Sequence, residues 1–335
     1  MLNPTQVVIA AMLLAGIGCV GFDPAVAGPI PAPGETAAAT LKSPGPTIRA
    51  PGNTRPTIAE TAAVAPPVAD LPATESPRPR AYLFRGALGP IFSLGMDRLA
   101  DKIERAGFTA SVDEFTICRL IADKAIRDYR ENPAPIVLIG HSMGGLCAVK
   151  FAEILQDENI PVSLVVTIDP AHVTPSVPLN VERFINIFLS KTVLGGGDVK
   201  PSEGFRGHYA SFDLSKHDEV IHINIEKMDQ VHAQLVSKIL QLAKTPSKSG
   251  GEAIPLRYVV PAGAEIELWD SGMWVPARPG DTLQSIAAAY HLPLWSLTQM
   301  NKGPDGTPLV PGERIIVPRH LAPLAEVSAH APPKR

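Results

Sequence analysis

The chain is poor in cysteine, in aromatic residues and in excess charge of either sign. Its 335 residues include 3 Cys and 5% aromatics, with 30 Lys+Arg against 33 Asp+Glu and a formal net charge of −3. Near-balanced charge, with no basic stripe interleaved with aromatics, argues against a nucleic-acid partner. There is no Cys/His/Asp/Glu cluster at metal-ligand spacing, no phosphate-cradling glycine loop and no dinucleotide fingerprint. No metal and no cofactor is therefore implied. The apolar run from Val7 to Phe22 is too short to span a bilayer and long enough for a signal h-region. Ala25-Val26-Ala27 then supplies a cleavage site before Gly28, although the n-region lacks Lys and Arg. An alternative is a lipoprotein signal acylated at Cys19. Export is the expectation, to the periplasm, the cell envelope or beyond.

Residues 28–80 also lack any sustained apolar period. Runs such as PIPAPG and SPGPT point to a disordered linker of polyproline character. From residue 81 the pattern changes to apolar runs alternating with helical periodicity, which implies an α/β fold with a doubly wound, mostly parallel sheet. The expected division is a signal peptide over 1–27, a linker over 28–80 and an α/β domain over 81–245. A second linker over 246–256, short strands over 257–277, a small module over 278–321 and a disordered tail over 322–335 follow. The 194–218 stretch, with Gly195-Gly196-Gly197, reads as a mobile loop over the cleft. Two of the cysteines, Cys118 and Cys147, fall on predicted helices. They suit small buried apolar positions, and export would equally permit a bridge.

Within the α/β domain, Ile136 to Ile139 form a continuous apolar, β-branched run, the signature of a central strand covered on both faces. Leu146, Val149, Phe151, Ile154 and Leu155 then recur at helical spacing. Between strand and helix stands Gly140-His141-Ser142-Met143-Gly144. Its glycines permit a sharp, strained turn that lifts a serine hydroxyl out of the sheet and places it at a helix N-terminus. The pattern G-x-S-x-G between a strand and a helix resembles the nucleophile elbow of α/β-hydrolases, and GHSMGG is a form common in lipases, esterases and thioesterases.

That resemblance implies an acid and then a histidine further along the chain. Asp169 ends the strand-like run of 162–168, on the sheet edge where ligands bind in such folds. Asp198, one strand later, is the rival. For the histidine, His222 lies in the alternating run Val220-IHIN-Ile225 and reads as a strand residue. His232 precedes the amphipathic segment AQLVSKILQLAK and fits the family position at the start of the last helix; His172, His208 and His217 fit less well. The resemblance therefore implies catalytic Ser142, Asp169 and His232. It also implies an oxyanion hole from the backbone N–H of Met143 and one from Ala87 or Leu88, with Arg85 structural. The short domain implies a minimal hydrolase with an open site.

The segment 278–321 carries Pro279-Gly280-Asp281-Thr282-Leu283, the helices SIAAAY and LWSLTQMN, Pro311-Gly312 and the closing strand RIIVP. Asp281 or Thr282 can cap the first helix, and Ile286, Ala287, Tyr290, Leu297 and Ile315 supply a small core. In order and spacing this is similar to a LysM module, a βααβ fold. That implies a shallow groove for peptidoglycan or other N-acetylglucosamine glycans, with Gly280, Asp281, Thr282 and Leu283 on one side and Pro308, Leu309 and Val310 on the other. The combined expectation is an exported serine hydrolase of ester or thioester bonds, targeted to the wall. The alternative is a wall-binding protein that keeps the hydrolase fold as a scaffold.

Overall fold

Strand alternation explains the architecture. In β3 (Ile136–His141), Val137 and Ile139 face one side of the sheet while Ile136 and Leu138 face the other, and all four are buried. A strand buried on both faces needs helices above and below it. The computed structural model, which describes residues 77–87, 89, 93–244, 252–301 and 306–321, supplies them. β1 (Arg80–Arg85) leads into α1 (Leu94–Arg105), and β2 (Thr109–Glu114) leads through a short 3-10 turn into α2 (Cys118–Glu131). After β3 come α3 (Met143–Asp157), β4 (Leu164–Ile168), β5 (Arg183–Phe188), β6 (His208–Asp213) and α4 (Asp229–Lys244). The apolar faces of α1 and α4 pack on one side of the sheet and those of α2 and α3 on the other.

The sheet has seven strands, all parallel, in the order β2-β1-β3-β4-β5-β6-β7. The doubly wound α/β expectation is met. The seventh strand, β7 (Leu256–Val259), comes from the segment expected to lie outside the domain. It pairs with β6 from Ala210↔Leu256 to Asp213↔Val259. The signal segment, the 28–76 part of the linker, residues 245–251 and the 322–335 tail lie outside the described residues.

The C-terminal module follows directly: β8 (Trp269–Pro276), α5 (Leu283–Ala289), α6 (Leu294–Met300) and β9 (Arg314–His320), with β8 and β9 antiparallel. Thr282 caps α5 in a reciprocal capping box with Ser285. The module shares its core with the sheet. Tyr258 of β7, Trp269 of β8 and Trp295 of α6 pack within 5.0–5.5 Å of one another by ring centroids, and Phe212 of β6 lies 5.9 Å from Trp269. Gln299 of α6 bonds both backbone groups of Val259, so the module covers the outer edge of the sheet. Beneath this cluster the buried Asp270 accepts from Lys238 at 2.9 Å and Arg183 at 3.3 Å. All described residues belong to one compact unit, Glu75–Arg335.

Cys118, at the start of α2, and Cys147, on α3, are joined by a disulfide across a Cα separation of 5.8 Å. The stretch 194–218, expected as a mobile loop, instead contains β6 and buried backbone around Gly195 and Gly196.

Two predictions follow from this packing. A chain ending at Lys244 loses β7, the Trp269 cluster and the partner of Lys238, so it should be molten or insoluble, whereas one ending at Leu321 should melt cooperatively. A soluble, cooperatively melting 77–244 fragment, seen by circular dichroism, would refute the shared core. The second concerns Glu226, whose side chain is fully buried. Its carboxylate lies against the Gly95 amide at the start of α1 and 3.6 Å from Lys227 Nζ, with no well-formed hydrogen bond. Burial raises it from an ordinary 4.5 to about 7. A carboxyl raised on folding stabilises the native state at low pH, and that contribution is lost as pH rises through about 7. Glu226→Gln should therefore raise Tm above pH 7 and flatten its pH dependence; a lower Tm at alkaline pH would contradict this account.

Candidate active site

The turn after β3 is set by close backbone approach. A Cβ at Gly140 would meet Gly144 O at 2.0 Å, and one at Gly144 would meet Phe84 O at 2.1 Å, so only glycine fits at either position. Between them Ser142 takes φ 56° and ψ −121°, a strained conformation for a side-chain-bearing residue. The strain is held by Ser142 N–H bonding Ile168 O at 3.0 Å, which fixes the turn to the end of β4. The serine then stands as the N-cap of α3, with its hydroxyl free of any capping bond.

Asp169 follows Ile168 and also has positive φ, 41°. Its side chain is fully buried. Oδ1 accepts the N–H of Leu189 at 3.0 Å and that of Gly196 at 2.8 Å, and Thr192 Oγ1 donates to Oδ2 at 3.4 Å. His222 reaches in from the loop after β6, with its Nδ1–H donating to Asp169 Oδ2 at 2.6 Å. On the other side of the ring, Ser142 Oγ lies 3.1 Å from Nε2. Ser142, His222 and Asp169 thus form one continuous hydrogen-bonded line. An imidazole so held can take a proton from the serine and carry positive charge beside the carboxylate.

The structure places the other expected residues as follows. His232, assigned above as the base, is not near Ser142. Its ring is fully buried between α4 and the 3-10 turn, donating from Nε2 to Glu226 O at 2.8 Å and accepting from Lys102 at Nδ1 at 3.3 Å. Burial lowers it to about 4, so it is a neutral packing residue. The physical reason for the error lies in 220–225. Its alternating Val and Ile suggest a strand, but the segment is a loop ending in a 3-10 turn at Ile225–Lys227. The true last strand before α4, HYASFD, is disguised by His208, Ser211 and Asp213. These polar residues are satisfied locally by Ser271, Asn186 and the backbone of Ser190 and Ser215. With β6 placed correctly, the chain order Ser, Asp, His leads to His222 itself.

Asp198 is paired with Arg257 at 2.5 Å and makes no contact with a histidine. Among the other histidines, His172 bonds Thr192 O, His208 bonds Ser271 and His217 bonds Glu219. Arg85 is engaged by Asp97 and Glu114. Met143 opens α3, and Ala87 lies in the turn after β1; Leu88 is outside the described residues. The loop meets the serine directly: a Cβ at Gly86 would come within 2.8 Å of Ser142 Cβ.

In the C-terminal module the two expected groove loops are tied together by Leu309 N–H donating to Asp281 O at 2.8 Å. Gly280 takes φ 85°, and Val310 is 69% exposed. Leu283, expected to line the groove, has a fully buried side chain and belongs to the core, because it is the first residue of α5 and points into it. An open cleft of about 810 Å³ runs alongside, between β8 and α5, lined by Trp274, Arg278, Asp281, Ser285 and Tyr290 among others. Of the expected groove residues only Asp281 borders it. Arg314 stacks over Trp274 at 4.5 Å.

Residues 277–318 match the family described as LysM domain. No curated protein is significantly similar to the chain. Among solved structures it is similar to an alpha/beta-superfamily hydrolase from Xanthomonas campestris pv. campestris at 20% identity, covering 37% of this chain and 76% of that one, with a TM-score of 0.26. It is also similar to the RedJ thioesterase of the prodiginine biosynthetic pathway in Streptomyces coelicolor, at 19% identity, covering 31% of this chain and 48% of that one, with a TM-score of 0.20. The chain joins a doubly wound, seven-stranded parallel α/β sheet to a C-terminal LysM domain.

Proposed function

We propose that the chain is an exported serine hydrolase that cleaves carboxylic ester or thioester bonds, held at peptidoglycan or a related N-acetylglucosamine glycan by its LysM domain. The observation that carries the reading is the Ser142–His222–Asp169 line, with Oγ to Nε2 at 3.1 Å and Nδ1 to Oδ2 at 2.6 Å. In the proposed reaction His222 takes the Ser142 proton as Oγ attacks the carbonyl carbon. The backbone N–H groups of Met143 and of Ala87, in the loop after β1, receive the developing oxyanion. Collapse expels the alcohol or thiol, which takes the proton from His222. Water, activated by the same imidazole, then releases the acid and frees the serine.

Support for the glycan half of the proposal is the LysM match together with the tied loops at Asp281 and Leu309. Because the domain shares a core with the sheet, retention and chemistry belong to one rigid body rather than to a tethered pair.

Ser142→Ala should remove p-nitrophenyl ester hydrolysis and fluorophosphonate labelling, and His222→Ala and Asp169→Asn should each cost roughly a thousandfold or more in kcat. His232→Gln and Asp198→Asn should retain most of the rate. A His222 variant with near-normal activity would remove the proposed base. For the glycan half, purified sacculi should sediment the full chain, and Val310→Asp should weaken that retention several-fold while leaving soluble-ester turnover unchanged. Equal sedimentation of the two proteins would move the glycan site elsewhere on the domain.

A further inference from the structure

His141, the residue before Ser142, has its ring buried, 2% exposed, although the elbow chemistry above does not use it. Its two nitrogens are both engaged. Nε2 lies 2.9 Å from the backbone carbonyl of His222, and Nδ1 lies 2.8 Å from Ser93 Oγ. A carbonyl can only accept, so Nε2 must carry the proton and Nδ1 must be the acceptor. Ser93 therefore donates its hydroxyl proton to Nδ1. Its oxygen is then left to accept, and it does so from the Gly86 N–H at 3.2 Å. Every direction in this chain is forced: Gly86 N–H to Ser93, Ser93 O–H to His141, His141 N–H to the His222 carbonyl.

The two ends of that chain are the two loops that converge on Ser142. One is the loop after β1, at Gly86, proposed to bear an oxyanion donor. The other is the loop that carries His222. Among the described residues no other hydrogen bond joins them, and the His141 ring lies tilted by 37° against the His222 ring at a centroid distance of 4.7 Å. We infer that His141 is a positioning residue: through Ser93 and the His222 carbonyl it fixes the oxyanion loop and the proposed base relative to the serine. The inference rests on the reading of Ser142 and His222 given above.

Neutrality suits this role. Burial, reinforced by the neighbouring His222 ring, holds His141 down at about 3. The forced tautomer thus persists while His222 gains and loses its proton, and the adjacent His141 ring adds no second positive charge beside it.

The two arms can be separated. His141→Asn keeps an acceptor near the Nδ1 position for Ser93 but lacks the reach to His222 O. His141→Gln places a donor near the Nε2 position but loses the Ser93 arm. Small displacements of reacting groups cost up to about a hundredfold in rate. His141→Asn should therefore lower kcat for a soluble ester roughly tenfold to a hundredfold, with KM within about twofold. Ser93→Ala should add less in the Gln background, where only its bond from the Gly86 N–H remains, than in the Asn background, where it still links Gly86 to the side chain at 141. A structural role alone would lower Tm without this background-dependent pattern in kcat.

Fluorophosphonate labelling of the wild-type chain separates the two ways of failing. If the wild type is neither labelled nor active, the reading of Ser142 falls and this inference falls with it. If the wild type is labelled, the inference alone is overturned by folded Asn and Gln variants with wild-type kcat, by a loss carried in KM, or by Ser93→Ala acting equally in both backgrounds. Should the His141 variants not fold, imidazole 15N shifts of the wild-type protein decide the network. A protonated Nε2 and bare Nδ1 at His141 supports it, and the opposite tautomer overturns it.

Discussion

Burying a carboxylate is costly unless its lone pairs are filled, and the site is organised around meeting that cost at Asp169. The Asp169 side chain has no exposure, and its acceptors are satisfied by backbone or side chains from 189, 192 and 196 and by the ring of His222. Each donor lies on a connection at the C-terminal edge of the sheet, so filling the carboxylate shapes those connections. The glycine run at 195–197 follows from this. A Cβ at Gly195 would come within 2.3 Å of Asp169 Oδ2, so the loop can close over the acid only because that position has no side chain. The same backbone turn that places Asp169 also anchors the elbow, since Ser142 N–H bonds the carbonyl of the preceding Ile168.

This arrangement explains what was legible in the sequence. The elbow could be read because most of its requirements are local: a buried strand, the close approach of Gly140 to Gly144 and a helix start all fall within residues 136–155, and only the approach of Gly144 to Phe84 reaches outside them. Asp169 could be reached because it ends the next apolar run. His222, the proposed base, could not, because its position depends on a strand whose sequence is not apolar. β6 is buried, yet Ser211 and Asp213 look exposed in sequence; their partners, Asn186 and the backbone at Ser190 and Ser215, become visible only once the strands are assembled. The Val and Ile alternation at 220–225 misleads for the opposite reason. Ile221 and Ile223 are 49% and 37% exposed, so here apolar alternation marks a loop beside the cleft rather than a strand in the sheet.

The domain boundary was hidden by the same kind of long-range dependence. A polar, glycine-bearing stretch around 245–252 has the composition of a linker, and composition says nothing of where the chain goes next. It goes back to the sheet as β7, four residues long, too short to announce itself. An open parallel edge at β6 would present unpaired backbone groups. β7 covers that edge, and Gln299 from the LysM domain in turn bonds the outward-facing groups of Val259. What reads as a separate module in sequence is therefore the means by which the seven-stranded sheet ends.

That closure has a consequence for how the two halves act together. A module on a flexible tether raises local concentration and lets its partner search a volume set by linker length. Here the Trp269 cluster and the buried Asp270–Lys238–Arg183 pairing leave no such freedom between sheet and module. Under the proposed function, a glycan held at the Asp281–Leu309 loops would lie at a fixed distance and orientation from Ser142. The wall contact would then select which ester groups can reach the serine, because only those at the matching offset along or beside the bound glycan could be presented to it. Rigidity thus turns a targeting device into part of the specificity, and it does so through apolar packing and one buried ion-pair cluster far from the reacting atoms.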